Sequence, residues 1–244
     1  MVDAGDVVPG YYQATAVGSP YGNSQAAFSL TRSPVAIHAM RAPAGVAVTL
    51  DNLTPKSVSA RSALVMIGAQ RNVPTAGKTN SERIPFVVPA WASHVGIDLK
   101  IDPAEWSRFT DFGMTLMDTA GHRLATQPIN YSLGRLTLDR PEGAPAQPMV
   151  LVLSPGFADS TVDSRWSAEV SIRLYADSNH TSTRSGPDAS LPGGGSSRFL
   201  IDMPDLPSAL DNGFAPLGLV IIQEGQHSWT RELYLPQPAS TLSP

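Results

Sequence analysis

The sequence contains no cysteine, and it carries little positive charge. Without cysteine the chain has no disulfide, no thiolate nucleophile and no thiolate ligand for a metal. The net charge at pH 7 is −4, and the 17 lysine and arginine residues are scattered along the chain. A protein that binds nucleic acid carries a basic patch that contacts the phosphates, so we do not expect nucleic acid as a partner.

Long apolar runs are also missing. The longest, Met149–Leu153 and Leu217–Ile222, fall well below the ~20 apolar residues that a membrane helix needs. Residues 1–6 have neither the basic segment nor the apolar segment of a signal peptide. We therefore expect no membrane span and no signal peptide in this chain. An extracellular or cell-surface location then requires that the chain be a fragment of a longer protein.

Glycine and proline are frequent, with 20 and 22 residues, and they separate short segments in which apolar residues alternate with polar ones. Val95, Ile97, Leu99 and Ile101 alternate in this way, and the residues from Trp166 to Leu174 repeat the pattern. A period of two indicates strands with one buried face. The sequence predicts an all-β protein, a jelly-roll-like antiparallel β-sandwich with a second β-sandwich-like unit.

The alternation and the turn residues place individual elements. One helical turn is predicted at Pro103–Arg108, where Asp102 caps the helix and Pro103 occupies its first position. The predicted strands lie at 11–17, 25–31, 35–41, 46–50, 63–69, 84–88, 95–101, 112–118, 131–139, 149–153, 166–176, 198–203, 217–223 and 229–235.

Composition divides the chain into four segments. Residues 1–80 form an N-terminal β unit, and residues 81–177 form the most regular sandwich. Residues 178–197 are almost wholly Ser, Thr, Gly, Pro, Asp and Asn. Such a segment buries too little surface to become ordered, so it is predicted to be a flexible loop or linker. The strands in 198–244 are too few to fold alone and are expected to pack on the N-terminal unit.

The residues from Asp111 to Leu124 read Asp-Phe-Gly-Met-Thr-Leu-Met-Asp, then Gly121, then Leu124. This order resembles the signature of bacterial pre-peptidase C-terminal (PPC) domains, and the resemblance extends over about residues 81–177. Gly113 departs from the family pattern, which usually has a second acidic residue there. The resemblance implies a jelly-roll-like sandwich that is not catalytic and that assists the secretion, stability or substrate attachment of a hydrolase. Some relatives bind calcium.

The candidate metal ligands are three aspartates of this region, Asp98, Asp111 and Asp118. If they gather at one end of the sandwich, their oxygens suit a hard cation such as calcium. The alternative is that they are turn-forming aspartates. No other cofactor is indicated.

Exposed aromatic side chains form a second candidate site. Strand parity or loop position directs Trp106, Tyr131, Tyr175 and Tyr234 outward. If several of them lie in one plane, they form a platform for a protein or a polysaccharide.

No pattern for catalysis emerges. The five histidines lie in different segments without a His-Glu-x-x-His motif, and no Gly-x-Ser-x-Gly elbow is present. We assign no catalytic residue. The leading hypothesis is a non-catalytic accessory or binding module of a larger extracellular bacterial protein associated with a hydrolase. The alternative is a structural or assembly protein, such as a surface or virion component, and the third is a hydrolase on a β-sandwich scaffold.

Overall fold

A computed structural model describes residues 34–77, 81–157, 165–177, 179–203, 213–225 and 227–235, together with the backbone of two strands at 12–17 and 27–32. Within these residues the chain is built from seventeen strands and one short helix. Every strand pair with a defined register is antiparallel. The predicted all-β class is confirmed. Parts of the predicted segments, including residues 1–11, 178 and 236–244, lie outside the described residues.

The first five strands are β1 (Tyr12–Val17), β2 (Ala27–Arg32), β3 (Val35–Ala42), β4 (Gly45–Asn52) and β5 (Val58–Gly77). The central part of the chain forms β6 (Glu82–Val88), β7 (Ala92–Lys100), α1 (Pro103–Trp106), β8 (Phe109–Asp118), β9 (Arg123–Ile129), β10 (Leu133–Asp139), β11 (Gln147–Phe157) and β12 (Trp166–Ala176). The last strands are β13 (Ser182–Ser185), β14 (Ala189–Leu191), β15 (Ser196–Asp202), β16 (Ala215–Glu224) and β17 (His227–Tyr234).

The strands form two compact units. Unit 1 comprises the described residues within Met1–Val65, Thr183–Pro204 and Leu219–Leu233. Unit 2 comprises those within Met66–Ser182, Asp205–Gly218 and Tyr234–Pro244. The limits of these units differ from the sequence-based boundaries at residues 80 and 177, because β5 contributes residues to both units.

Within the described residues, unit 2 is a sandwich of two layers. One layer is formed by four strands, in the order β10-β7-β12-β5, of an eight-stranded sheet that continues through β16 to β17, and the other is the four-stranded sheet β6-β11-β8-β9. If β5 is counted as strand 1 and β12 as strand 8, the order in the layer that contains β5 is 6-3-8-1. The order in the opposite layer is 2-7-4-5. This strand order is that of a jelly roll, in which two Greek keys are wound into facing sheets. The predicted jelly-roll-like sandwich is therefore confirmed.

The core of unit 2 lies between these two sheets. Alternate residues of β7 and β12, such as Ile97 and Ile172, are fully buried, as are Leu116 of β8 and Leu151 of β11. They belong to one hydrophobic cluster to which all eight strands contribute. Because side chains alternate along a strand, burial of one face directs the other set of residues outward. These outward residues of the first sheet form the candidate site.

Unit 1 contains a three-stranded sheet of order β15-β4-β3 and the paired strands β1 and β2. The strands β13 and β14 pair with β5, and β16 lies between β5 and β17. Alternate residues of β4, namely Val46, Val48 and Leu50, are completely buried, as the alternation in the sequence predicts.

The segment at 178–197, predicted to be a flexible loop or linker, contains β13, β14 and the start of β15. Ala189 and Leu191 are buried on one face of β14. The backbone is also held by side chains of neighbouring elements, because Asn52 Nδ2 donates to the carbonyls of Leu191 at 3.2 Å and Pro192 at 2.9 Å. The linker prediction was wrong for the described residues, since two apolar side chains and backbone pairing outweigh the polar composition.

Other elements differ from the predictions in length or number. α1 is confirmed, and Asp102 caps it by accepting a hydrogen bond from the Ala104 N–H at 2.8 Å. The strand β9 was missed because all of its side chains except Ile129 are at least partly exposed, so it lacks a clear alternation. β5 has 20 residues where only 63–69 were predicted, because Pro74 resembles a strand breaker in the sequence.

Candidate ligand-binding groove

The outward face of the sheet β10-β7-β12-β5 carries rows of polar residues. The strand registers place Arg135, Asp98, Ser171 and Asn72 side by side in one row. The adjacent row contains Thr137, Gly96, Arg173 and Gln70, and the next contains Asp139, His94, Tyr175 and Gly68. Residues from four strands that are distant in sequence therefore meet on one surface of unit 2.

Asp98 is the centre of the hydrogen-bond network on this face. Its carboxylate accepts from Arg135 through Nε at 2.6 Å and Nη2 at 3.1 Å, and from Arg173 Nη1 at 3.0 Å. The Arg173 Nε donates to Gln70 Oε1 at 3.1 Å. Such charge-assisted and bidentate contacts fix the planes of the guanidinium groups.

The network continues onto β5. Gln70 Nε2 and Ser171 Oγ both donate to Asn72 Oδ1, each at 2.8 Å. Gln70 is buried although it belongs to the outward set. We call this network the polar floor; it consists of Asp98, Arg135, Arg173, Gln70, Asn72 and Ser171. Its side chains are held in place by their own contacts before any ligand binds, which lowers the entropy cost of binding.

An aromatic side chain lies at one end of the polar floor. Tyr175 extends from β12 across Gly96 of β7, where a Cβ atom would lie 3.5 Å from the Tyr175 Cε2 atom. The His94 ring lies beside it at a centroid distance of 5.7 Å, and His94 Nδ1 is 2.5 Å from Asp139 Oδ1. The Tyr175 ring therefore covers Gly96 at ordinary van der Waals distance.

These residues line a depression of about 410 Å³, which we call the outer groove; its walls include His94, Gly96, Asp98, Arg135, Arg173 and Tyr175. Asp98 and Arg135 also line a second depression of about 430 Å³, which reaches Lys100, Leu133 and Glu169. The two are therefore continuous along the sheet. From Tyr175 to Glu169 the face extends about 20 Å, at roughly 3.3 Å per strand residue.

A larger depression, of about 600 Å³, lies beside β6 and β11 of unit 2. Most of its lining is apolar, as at Phe86, Val87 and Met149, and Arg71 is the single charged side chain among its described lining residues. Arg71 Nη1 already donates to the Pro85 carbonyl at 3.3 Å. The outer groove is the better candidate because several polar groups converge there.

The three predicted metal ligands are not brought together. Asp98 lies in the outer groove, whereas Asp111 and Asp118 belong to β8 of the opposite sheet. Seven residues of extended strand, about 23 Å, separate Asp111 from Asp118. Asp98 pairs with two arginines and Asp118 with His122, and no group of three or more metal-binding side chains occurs among the described residues. The structure therefore provides no calcium site at these aspartates.

The four predicted platform residues also lie apart. Tyr175 is in the outer groove, while Trp106 of α1 packs on Phe109 with ring centroids 6.0 Å apart. Tyr131 is 75% exposed and precedes β10, at the opposite end of the sheet from Tyr175. Tyr234 is the last residue of β17 and is half-buried. Of these four residues, Tyr175 is the one that lines the groove.

Four histidines in the described part of the chain lie against aspartates, and these pairs were not predicted from the sequence. His38 contacts Asp51 at 3.3 Å, and His94 contacts Asp139. His122 Nδ1 is 2.8 Å from Asp118, and His180 Nδ1 is 2.9 Å from Asp177. The side-chain hydrogen bond from His122 lowers the pKa of Asp118, and that from His180 lowers the pKa of Asp177. Backbone N–H groups of the same turns contribute to both shifts.

The groove lacks the arrangement of a covalent catalyst. Such catalysts hold a hydroxyl or thiol nucleophile within hydrogen-bond reach of a base. In the described lining of the groove, no serine or threonine hydroxyl is hydrogen-bonded to His94, whose partner is Asp139. The groups that converge there are suited to holding a ligand by hydrogen bonds.

The groove residues Gln70, Asn72, Arg135 and Arg173 were not predicted as site residues. The sequence does carry one signal: Asp98, Arg135 and Arg173 each occupy the outward set of an alternating strand. Which strands are neighbours is decided by the topology, so their convergence was not visible in the sequence.

No protein-family model matches the sequence, and neither does any curated protein. The likeness to PPC domains therefore depends on the residues of the signature alone and stays a prediction. Within the described part of the chain, no helix has the length and apolar character needed to cross a bilayer.

Proposed function

We propose that this chain is a non-catalytic binding module whose outer groove holds a polysaccharide. The observation that carries the proposal is the fixed polar floor of Asp98, Arg135, Arg173, Gln70 and Asn72 beside the ring of Tyr175. Pockets that recognise small polar ligands combine an apolar or aromatic surface with a few oriented polar groups.

A sugar ring matches both parts of this surface. One face of the ring presents C–H groups, which pack well on an aromatic side chain, while the hydroxyls at its edge each donate and accept hydrogen bonds. The floor offers acceptors at Asp98 and Asn72 and donors at Arg135 and Arg173. The length of about 20 Å suits a chain of sugars rather than a single ring.

The likeness to PPC domains supports the same proposal. A module appended to an extracellular bacterial hydrolase keeps that enzyme close to its substrate when the module binds the same polymer. The second binding event is then intramolecular, and the effective concentration of substrate rises. This chain would then bind the polysaccharide, and the hydrolase would cleave it.

The proposal predicts that Tyr175→Ala weakens polysaccharide binding. Affinity electrophoresis in gels containing soluble plant, fungal and bacterial polysaccharides identifies a ligand, and calorimetry then measures the affinity. We expect Tyr175→Ala to lose about tenfold in affinity, or about 1.4 kcal/mol, because the stacking surface is removed. Tyr175→Phe keeps the ring and is expected to bind nearly as tightly as the unaltered chain.

Val87→Ala is the control, because it removes an exposed side chain from β6 in the opposite sheet of unit 2. Binding that survives Tyr175→Ala but not Val87→Ala places the ligand outside the groove. If the unaltered chain is retarded by none of the polysaccharides, the proposal is wrong.

A structural or assembly role is the second candidate. It is favoured by β15, a terminal strand whose outer edge pairs with no strand in the described part of the chain.

A further inference from the structure

β15 is the terminal strand of the sheet β15-β4-β3 in unit 1. One of its edges pairs with β4, from Ser196 opposite Asp51 to Asp202 opposite Gly45. In the described part of the chain no strand pairs with its other edge. An open edge presents unpaired backbone N–H and C=O groups and is a template for a further strand.

The outward face of this sheet carries an apolar row that reaches the open edge. The registers place Met40 of β3, Ala47 of β4 and Leu200 of β15 side by side. Met40 is 64% exposed and Leu200 is 45% exposed. A large apolar side chain on an open edge strand favours association with another chain.

The charges on β15 indicate which kind of chain can pair with its open edge. Arg198 and Asp202 lie two residues before and two residues after Leu200, on the same face of the strand. Neither forms an ion pair with another described residue. Opposite charges placed symmetrically about a central residue form a self-complementary pattern.

We propose that a second copy of this chain pairs with β15 through a two-fold axis at Leu200. In this antiparallel register Leu200 faces Leu200 of the partner copy, and Arg198 of each copy faces Asp202 of the other. Opposite charges directly across a strand pair are stabilising, and like charges are destabilising. A two-fold axis at Arg198 or at Asp202 instead places like charges opposite each other. An axis at Phe199 or at Ile201 places no opposite charge across from either Arg198 or Asp202, so only the register at Leu200 pairs the two charges.

The resulting dimer has a continuous six-stranded sheet, with β15 and its copy at the centre. The apolar row then runs without interruption from Met40 of one copy through both Leu200 side chains to Met40 of the other. A two-fold interface of this kind closes on itself and does not propagate into a fibre. This proposal concerns unit 1 alone and is independent of the groove in unit 2.

Sedimentation velocity over a range of protein concentrations tests the proposal. For the full chain of 25.8 kDa, we expect the mass to approach twice that value as the concentration rises. Arg198→Asp and Asp202→Arg are each expected to weaken self-association at least tenfold, because each places like charges across the interface. The double variant R198D/D202R restores opposite charges and is expected to dimerise again.

A mixture of the two single variants gives the sharpest test. In an equimolar mixture each Arg198→Asp chain meets an Asp202→Arg chain with complementary charges at both positions, so we expect a heterodimer that neither variant forms alone. Lys56→Glu is the control, since it reverses an exposed charge of unit 1 outside β15 and should leave self-association unchanged. A monomeric wild-type chain at every concentration, or dimers indifferent to these charge reversals, overturns the proposal.

Discussion

At the scale of single residues, Arg140 is a buried polar side chain of unit 2 with three backbone partners. It is buried, and its Nη1 donates to the carbonyls of Pro89 at 2.9 Å and Ala92 at 2.6 Å, while Nη2 donates to that of Pro145. Burial lowers the pKa of its guanidinium. Arg140 thus connects the turn before β7 with the loop before β11.

We predict that Arg140→Ala lowers the free energy of unfolding by about 3 kcal/mol, because three carbonyls lose their donor and a buried space is left. Urea denaturation measures the change. Arg123→Ala on the exposed strand β9 is the control and is expected to change stability by less than about 0.5 kcal/mol. Equal effects of the two substitutions contradict a structural role for Arg140.

The contact between His122 and Asp118 predicts an acid-sensitive contribution to stability. Because the hydrogen bond from His122 lowers the pKa of Asp118 in the folded chain, the ionised carboxylate stabilises the fold above the ordinary pKa of 3.8. This contribution disappears as the pH falls through the lowered value. We expect Asp118→Asn to lower the urea midpoint at neutral pH and to have a diminishing effect below pH 3.8.

The control for this experiment is Asp188→Asn, which alters an exposed aspartate in the loop before β14. The urea midpoint of Asp188→Asn should match that of the unaltered chain both at neutral pH and below pH 3.8. If the urea midpoints of Asp118→Asn and the unaltered chain differ more in acid than at neutral pH, the ionised Asp118 does not stabilise the fold as predicted.

At the scale of elements, the close pairing of β5 with β12 depends on one glycine. Gly68 has φ of +155° and lies opposite Tyr175 of β12. A Cβ atom there would lie 1.9 Å from the Leu174 carbonyl oxygen, which is part of the backbone and cannot rotate away. The close approach of β5 and β12 therefore requires glycine at this position.

We predict that Gly68→Ala lowers the free energy of unfolding by about 2 kcal/mol, since β12 must shift to make room. Gly113→Ala in β8 is a matched control, because its Cβ would meet only the Ser154 carbonyl at 4.0 Å. Its effect is expected to stay below about 1 kcal/mol in either direction. Thermal or urea unfolding of the two variants separates steric conflict from the general effect of losing a strand glycine.

Strands in which buried and exposed residues alternate could be predicted from the sequence, and strands without this alternation could not. The alternation at Val95–Ile101 defined β7 because one face is buried and the other is polar. β9 has only one buried residue, and β14 only two, so neither gives a period to detect. These strands exist because their neighbours β8 and β5 offer backbone partners, and such partners are invisible in the segment itself.

At the scale of the whole molecule, the jelly-roll class was predictable, but the site was not. Alternation in sequence identifies which side chains point outward and leaves open which strands are adjacent. Asp98 was singled out as a metal ligand, yet β10 and β12 place Arg135 and Arg173 against it and make it the centre of a hydrogen-bond network. The function of that aspartate therefore follows from topology rather than from its local sequence.

The pairing of the first strand of the sandwich with the last has a consequence for synthesis on the ribosome. β12 lies between β5 and β7, so its position in the sheet stays vacant until Ala176 has been translated. At typical translation speeds, roughly ten seconds pass between Gly68 and that point. During this interval the nascent chain exposes apolar surface, which makes it a substrate for chaperones and places the risk of aggregation before release rather than after folding.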